Sequence, residues 1–191
     1  MMDKNYVEDQ KFDNQNFSGD LLSAIEFENC IFNQCDFSGV DLSGKDFTAC
    51  RFNSCNLSMV PLEKTGLRQA VFNDCKMLGL QFHQCSEFLF EVSFTRCVLD
   101  LSSFYKRMLR NTIFVSCTLR EVDFVEADLS SANFSDSDLF GAVFDNTKLE
   151  KADFRTALNY SFNPGANAIK KAKFSLPGVV ALLSGYDIVI E

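Results

Sequence analysis

The chain has 191 residues, 47% of them hydrophobic, and a formal net charge of −8. That length suits one ordinary domain, and that apolar content excludes a disordered or fibrous chain. The negative charge argues against direct binding to nucleic acid or anionic membrane and suits a basic partner surface.

Phenylalanine is used 21 times, cysteine eight times, tryptophan never and histidine once, which points to one structural position used repeatedly. Acids outnumber bases 15 to 8 over residues 1–100, so the charge is concentrated towards the N-terminus. The opening stretch MMDKNYVEDQKF lacks the apolar core of a signal peptide, and no apolar run reaches the ~18 residues of a membrane span. The expected location is the cytoplasm, with no membrane contact and with the eight cysteines reduced.

Residues 1–11 are expected to form an N-terminal cap. From Phe12, every fifth residue is large and apolar: Phe12, Phe17, Leu22, Phe27, Phe32, Phe37, Leu42, Phe47, Phe52, Leu57, Leu62, Leu67, Phe72, Met77 and Phe82. The series breaks at 86–91, where two extra residues are inserted, and resumes at Phe94. It then alternates Phe and Leu without exception to Phe154. A period of five fits neither the 3.6 of an α-helix nor the 2 of a flat strand. It fits a chain that turns a corner every five residues, with one central side chain per face pointing inward. Four faces make a coil of about 20 residues, so residues 20 apart stack as parallel β-bridges ~4.8 Å apart. The predicted fold is all-β: a right-handed quadrilateral β-helix of about seven coils over 12–156, roughly 34 Å long.

Two places before each central residue the side chain is small and also directed inward. All eight cysteines fall there, among Ala and Val. One place before it the side chain points outward and is often acidic or amide, as at Asp36, Asp41, Asp46, Asp123, Asp128, Asp138 and Asp153. These carboxylates are either a solvated face or a negative surface read by a partner. Ser, Thr, Asn and Gly follow at the corners, where tight turns are needed.

Three places depart from the pattern. At 86–91, Glu87, Phe88, Leu89 and Phe90 form either a bulge that tucks its aromatics into the core or a loop that projects to a partner. Charges stand at inward positions in Asp20, Lys45 and Arg107, and local distortion is expected to carry each to solvent. After Phe154 the repeat decays, and residues 157–191 read as a capping and dimerisation segment. Ser175 and Pro177 mark a helix start and Gly185 a stop, so the helix should span about 176–184. A short strand follows over 187–191. Val179, Leu182, Leu183, Ile188 and Ile190 offer more apolar surface than one coil end can cover, which predicts a homodimer through the C-terminus.

No catalytic constellation is evident. The one histidine, His83, falls at an outward position, and no phosphate-binding or dinucleotide fingerprint occurs. Cys30/Cys35 and Cys50/Cys55 are C-x4-C pairs, but they obey the core rule shared with Ala and Val. No enzyme activity, cofactor or metal is therefore expected.

The stretch ADLSSANFSDSDLFGAVFDNTKLEKADF, from Ala127, resembles the pentapeptide-repeat family, whose motif is written A(D/N)Lxx. The resemblance covers roughly residues 10–156. A whole-chain repeat with a C-terminal helix and strand is similar to the topoisomerase-protecting Qnr-type and microcin-immunity subfamily. That resemblance implies an acidic, DNA-mimicking rod that engages DNA gyrase or topoisomerase IV and protects it from a quinolone or a peptide toxin. The subfamily's two long loops have no counterpart here beyond the two-residue insertion, which weights the expectation towards a poison other than a quinolone. B-DNA carries one charge per ~1.7 Å, so a 34 Å stretch holds roughly 20 charges, and mimicry by this chain would be partial. The alternative is a scaffold protein with another partner and no action on topoisomerases.

Overall fold

The computed structural model describes residues 5–17, 25–186 and 188–189. The sequence-predicted positions Asp20, Leu22 and Ile190, and Asp187 at the start of the expected strand, lie outside them. The chain winds as a right-handed quadrilateral β-helix. Short strands stack in parallel with a register of 20: Tyr6–Glu8, Glu26–Glu28, Asp46–Thr48 and Gly66–Arg68 on one face. On the next face Lys11–Asp13, Ile31–Asn33, Arg51–Asn53, Ala70–Asn73, Val92–Thr95 and Phe114–Val115 stack in turn. Single bridges such as Met108↔Asp128↔Lys148 and Ile113↔Asn133↔Asp153 continue the coils towards the C-terminus.

The core is the five-residue series itself. Every described member is buried except Phe12, which is half-buried in the first rung. Its rings form columns. Phe12, Phe32, Phe52, Phe72, Phe94, Phe114, Phe134, Phe154 and Phe174 make one unbroken stack, with centroids 4.8–5.4 Å apart. Neighbouring columns meet edge to face, as Phe114 and Phe124 do at 5.8 Å. Parallel stacking along the axis and T-shaped contact across it suit the quadrupole of each ring.

The small inward residue has a second task. Its donor reaches the carbonyl 23 residues earlier, which the ladder leaves free. Cys50 Sγ donates to Phe27 O at 3.4 Å, Thr65 Oγ1 to Leu42 O at 2.8 Å and Ser137 Oγ to Phe114 O at 2.8 Å. Cysteine is favoured there because it is small, apolar and still a weak S–H donor. All eight cysteines are buried and free. The outward Asp or Asn is explained in the same way. Asp36, Asp41, Asp123, Asn133 and Asp138 each accept a hydrogen bond from the backbone N–H two residues on, at 2.8–3.1 Å, and so fix the turn. Each corner then needs a residue with positive φ, such as Asn29, Glu121 or Lys151. The strain of that conformation is offset by a ladder bond from the same residue's N–H, as from Asn29 to Thr48 O at 3.0 Å.

The boundaries of the coil differ from those the periodicity predicts. Tyr6–Glu8 is already its first rung, not a cap. At the other end bridges reach Ala168 and Lys173, so the coil passes 156 by about a turn. Tyr160 and Phe162 hid this turn by leaving the five-residue frame, yet both are buried. Helical structure then runs from Leu176 to Tyr186, one α-turn (Leu176–Val179) followed by 3-10 helix. Ser175 Oγ accepts from Gly178 N–H, and Pro177 stands in the first turn, as a helix start requires. Leu182 is buried and closes the core. Ile188 and Val189 are exposed and form no strand. Among the described residues no helix is long and apolar enough to cross a membrane.

Candidate partner-binding surface

The outward column of each face is a stack of residues 20 apart, so the predicted carboxylates can be placed face by face. Asp36 and Asp138 share one face, Asp123 lies on the next with Asp41, Asp46 and Asp128 on a third, and Asp153 on the fourth. The structure therefore does not bring the seven together. Most are also occupied. Asp46 pairs with Arg68 at 3.0 Å, Asp138 with Arg120 at 2.7 Å, and Asp153 with Arg155 at 2.7 Å and Lys173 at 3.7 Å.

Asp128 corrects the expectation of an exposed carboxylate. It is 3% exposed, because Arg110 from the coil before, at 2.8 Å, and Lys148 from the coil after, at 3.9 Å, converge on it. Burial pushes its carboxyl up, but hydrogen bonds from Ser130 and Arg110 outweigh burial and hold it below the usual carboxylate range. The same balance lowers Asp138, where Asn159 and Arg120 outweigh burial. Asp36 is lowered chiefly by the backbone N–H of Ser38, and Asp153 chiefly by Arg155.

At the frame break the inserted residues divide between core and surface. Phe90 turns back and packs on the core, whereas Phe88 and Leu89 project, 66% and 65% exposed. Arg107 does not reach solvent as expected. It is 4% exposed, and its Nε donates to Phe82 O at 2.7 Å while a second nitrogen donates to Cys85 O. The first bond is the one that Cys, Ser or Thr makes elsewhere in the coil; Arg adds the second because the insertion frees one more carbonyl. The Phe90 ring lies 4.8 Å from the guanidinium and covers it. Lys45 is half-buried. Of the predicted dimer residues, Leu182 is buried and Val179 and Leu183 are half-buried, so the outward apolar groups are Leu176, Val180, Ile188 and Val189.

Three grooves lie along one edge of the rod. Leu89, Phe90, Met108 and Ile113 line one of 610 Å³. Two more of 490 Å³ flank the corner column Ser131, Lys151 and Lys171, one with Arg110, Lys148 and Lys170, the other with Lys173. The outward-column reading overlooked this edge because its charges sit on both sides of the corner.

A family model for the pentapeptide repeat region matches residues 88–162, and one for pentapeptide repeats (8 copies) matches residues 30–69. No curated protein matches the chain. Among solved structures, a trypsin-treated variant of QnrB1, a plasmid-mediated fluoroquinolone resistance protein, is 17% identical over 97% of this chain and 100% of that one, with a TM-score of 0.63. HetL, a pentapeptide repeat protein involved in heterocyst differentiation regulation from the cyanobacterium Nostoc sp. strain PCC 7120, is 16% identical over 89% of this chain and 87% of that one, with a TM-score of 0.46. The two repeat models together span more of the chain than they leave, and the coil they describe is the one that the ring columns build: this chain belongs to the pentapeptide-repeat proteins.

Proposed function

We propose that the chain is a binding protein that occupies the DNA-binding surface of a type II topoisomerase, DNA gyrase or topoisomerase IV, and protects it from an inhibitor. The observation that carries this reading is the form of the molecule. It is an unbranched square rod with a net charge of −8, and its fold is similar to that of a fluoroquinolone resistance protein over nearly its whole length. The faces holding Asp36, Asp41 and Asp123 would meet the enzyme, and Leu176, Val180, Ile188 and Val189 would join two rods end to end. The test is gyrase supercoiling with purified protein, with and without a fluoroquinolone or a peptide gyrase toxin. Inhibition at high protein and protection at lower protein support the reading, and Asp36→Lys and Asp123→Lys should weaken both. Absence of any effect would remove it.

One observation favours a second reading, a scaffold with another protein partner. The carboxylates are largely spent on turns and ion pairs, and one edge carries a cluster of lysines that a DNA mimic does not need.

A further inference from the structure

The edge between the first two faces changes character along the rod. On its first two rungs it is acidic: Glu8, Asp9, Asp13, Glu26 and Glu28 stand against Lys11 alone. On its last two it is basic: Lys148, Lys151, Arg155, Lys170, Lys171 and Lys173 stand against Glu150 and Asp153. Midway, at the frame break, it is mainly apolar: Phe88, Leu89, Met108 and Ile113 are exposed by 66%, 65%, 56% and 43% around the 610 Å³ groove, with one acid, Glu91, and one base, Arg110, beside them.

The basic end is not explained by the fold. Lys151 and Lys171 stack directly in the corner column, both at a φ of +61°, a conformation and a like-charge contact that each disfavour lysine. Among the described residues, Lys151, Lys170 and Lys171 have no carboxylate at ion-pair distance, although Lys148 and Lys173 do.

The geometry points to a second copy of this chain as the occupant of this edge, lying antiparallel about a twofold axis at the frame break. Reversal about that axis sets the first rungs of one copy beside the last rungs of the other. Acid then meets base at both ends, and the apolar middle meets itself, which is the self-complementarity a twofold contact requires. The nine rungs marked by the Phe12–Phe174 stack give an edge of about 38 Å at ~4.8 Å per coil. With a width of about five residues, or ~16 Å, each copy presents roughly 600 Å². The total of roughly 1,200 Å² is at the lower bound for a specific interface, so the dimer is weak and salt-sensitive. An apolar centre with a charged rim is the usual arrangement of such contacts.

This contact is separate from the end contact in the proposed function and does not depend on a topoisomerase partner. The experiment is therefore run on the full chain carrying Leu176→Glu and Val180→Glu, which blocks end-to-end joining at exposed positions. Sedimentation velocity should show a dimer at low salt that dissociates at about 0.5 M salt, where the Debye length falls below ~5 Å. Lys151→Glu with Lys171→Glu should weaken it about tenfold or more. Glutamate is accommodated at equivalent corner positions in Glu121 and Glu126, so the fold should survive. Adding Glu8→Lys and Asp9→Lys to the same chain exchanges the charges of the two ends and should restore the dimer. A monomer at about 100 μM and low salt would overturn the proposal. So would a charge exchange that fails to restore association. Unchanged sedimentation of the lysine variant, with loss of binding to a duplex oligonucleotide, would overturn it in favour of a polyanion.

Discussion

Replacing Arg107 by Ala tests how the coil survives its two-residue insertion. Arg107 donates to Phe82 O and to Cys85 O; when its side chain is removed Phe82 O keeps the bond from Cys85 N–H at 3.1 Å, and Cys85 O loses the guanidinium donor. The Cys85 carbonyl left without a partner costs ~1–3 kcal/mol, and loss of the contact with the Phe90 ring adds ~0.5–2 kcal/mol. An opposing effect is that burial holds the guanidinium below its usual pKa, so deleting the cation relieves a desolvation cost. The net loss is expected to be about 1–3 kcal/mol. Arg107→Lys should lose roughly half as much, because a compact ammonium cannot span both carbonyls as the planar fork does. Urea unfolding followed by far-ultraviolet circular dichroism measures the total. Hydrogen exchange locates it, because the amides of Ser86 and Glu91, which bond Thr65 O and Leu67 O at 2.9 Å, should exchange faster. An Arg107→Ala protein within about 0.5 kcal/mol of wild type, with those amides still protected, would refute the assignment of Arg107 as the clasp of the insertion.

Phe124 is fully buried between Phe104 at 5.4 Å and Phe144 at 5.2 Å, so Phe124→Ala should cost ~3–5 kcal/mol in the same unfolding assay. Cys117→Ala should be mild, since Ala already holds the equivalent place at Ala132 and Ala142. Asp36, Asp41, Asp128, Asp138 and Asp153 all have depressed carboxyl pKa values in the fold. Their contribution is complete above the unfolded carboxylate pKa of ~3.9 and is lost as pH falls through the lower folded values. Thermal melting should therefore be flat from about pH 5 to neutrality and fall steeply below about pH 4. Gly66→Ala should cost about 1 kcal/mol, because a Cβ there would coincide with the Asp46 carboxylate and displace it from Arg68. A Gly66→Ala protein as stable as wild type would show that Asp46–Arg68 contributes nothing.

The interior was legible because the coil repeats one local rule. A residue such as Phe94 or Leu119 is buried wherever the count of five places it, and the cysteines are buried for the same reason. The exterior follows from pairs 18–25 residues apart, which the count does not record. Asp128 reads as an outward acid in sequence, but its exposure is set by Arg110 and Lys148 from adjoining coils. Arg107 reads as a misplaced charge until the carbonyls of Phe82 and Cys85 are seen beneath it. The last turn was missed because Tyr160 and Phe162 fill the core out of frame, while Phe174 rejoins the column of Phe154 at 5.4 Å. The seven carboxylates share one place in the repeat, and the count of 20 already spreads them over different faces; what the count does not record is which of them are taken up by ion pairs, as Asp46, Asp128, Asp138 and Asp153 are.

The central claim, that the rod stands in for DNA on a topoisomerase, is tested most directly by competition. Fluorescence anisotropy of a labelled duplex bound to gyrase is followed while unlabelled protein is added. Mimicry predicts that the chain displaces the duplex from gyrase fully, with an affinity that falls as salt rises. Protein that binds gyrase and leaves the duplex in place, or that does not bind gyrase at all, would contradict it.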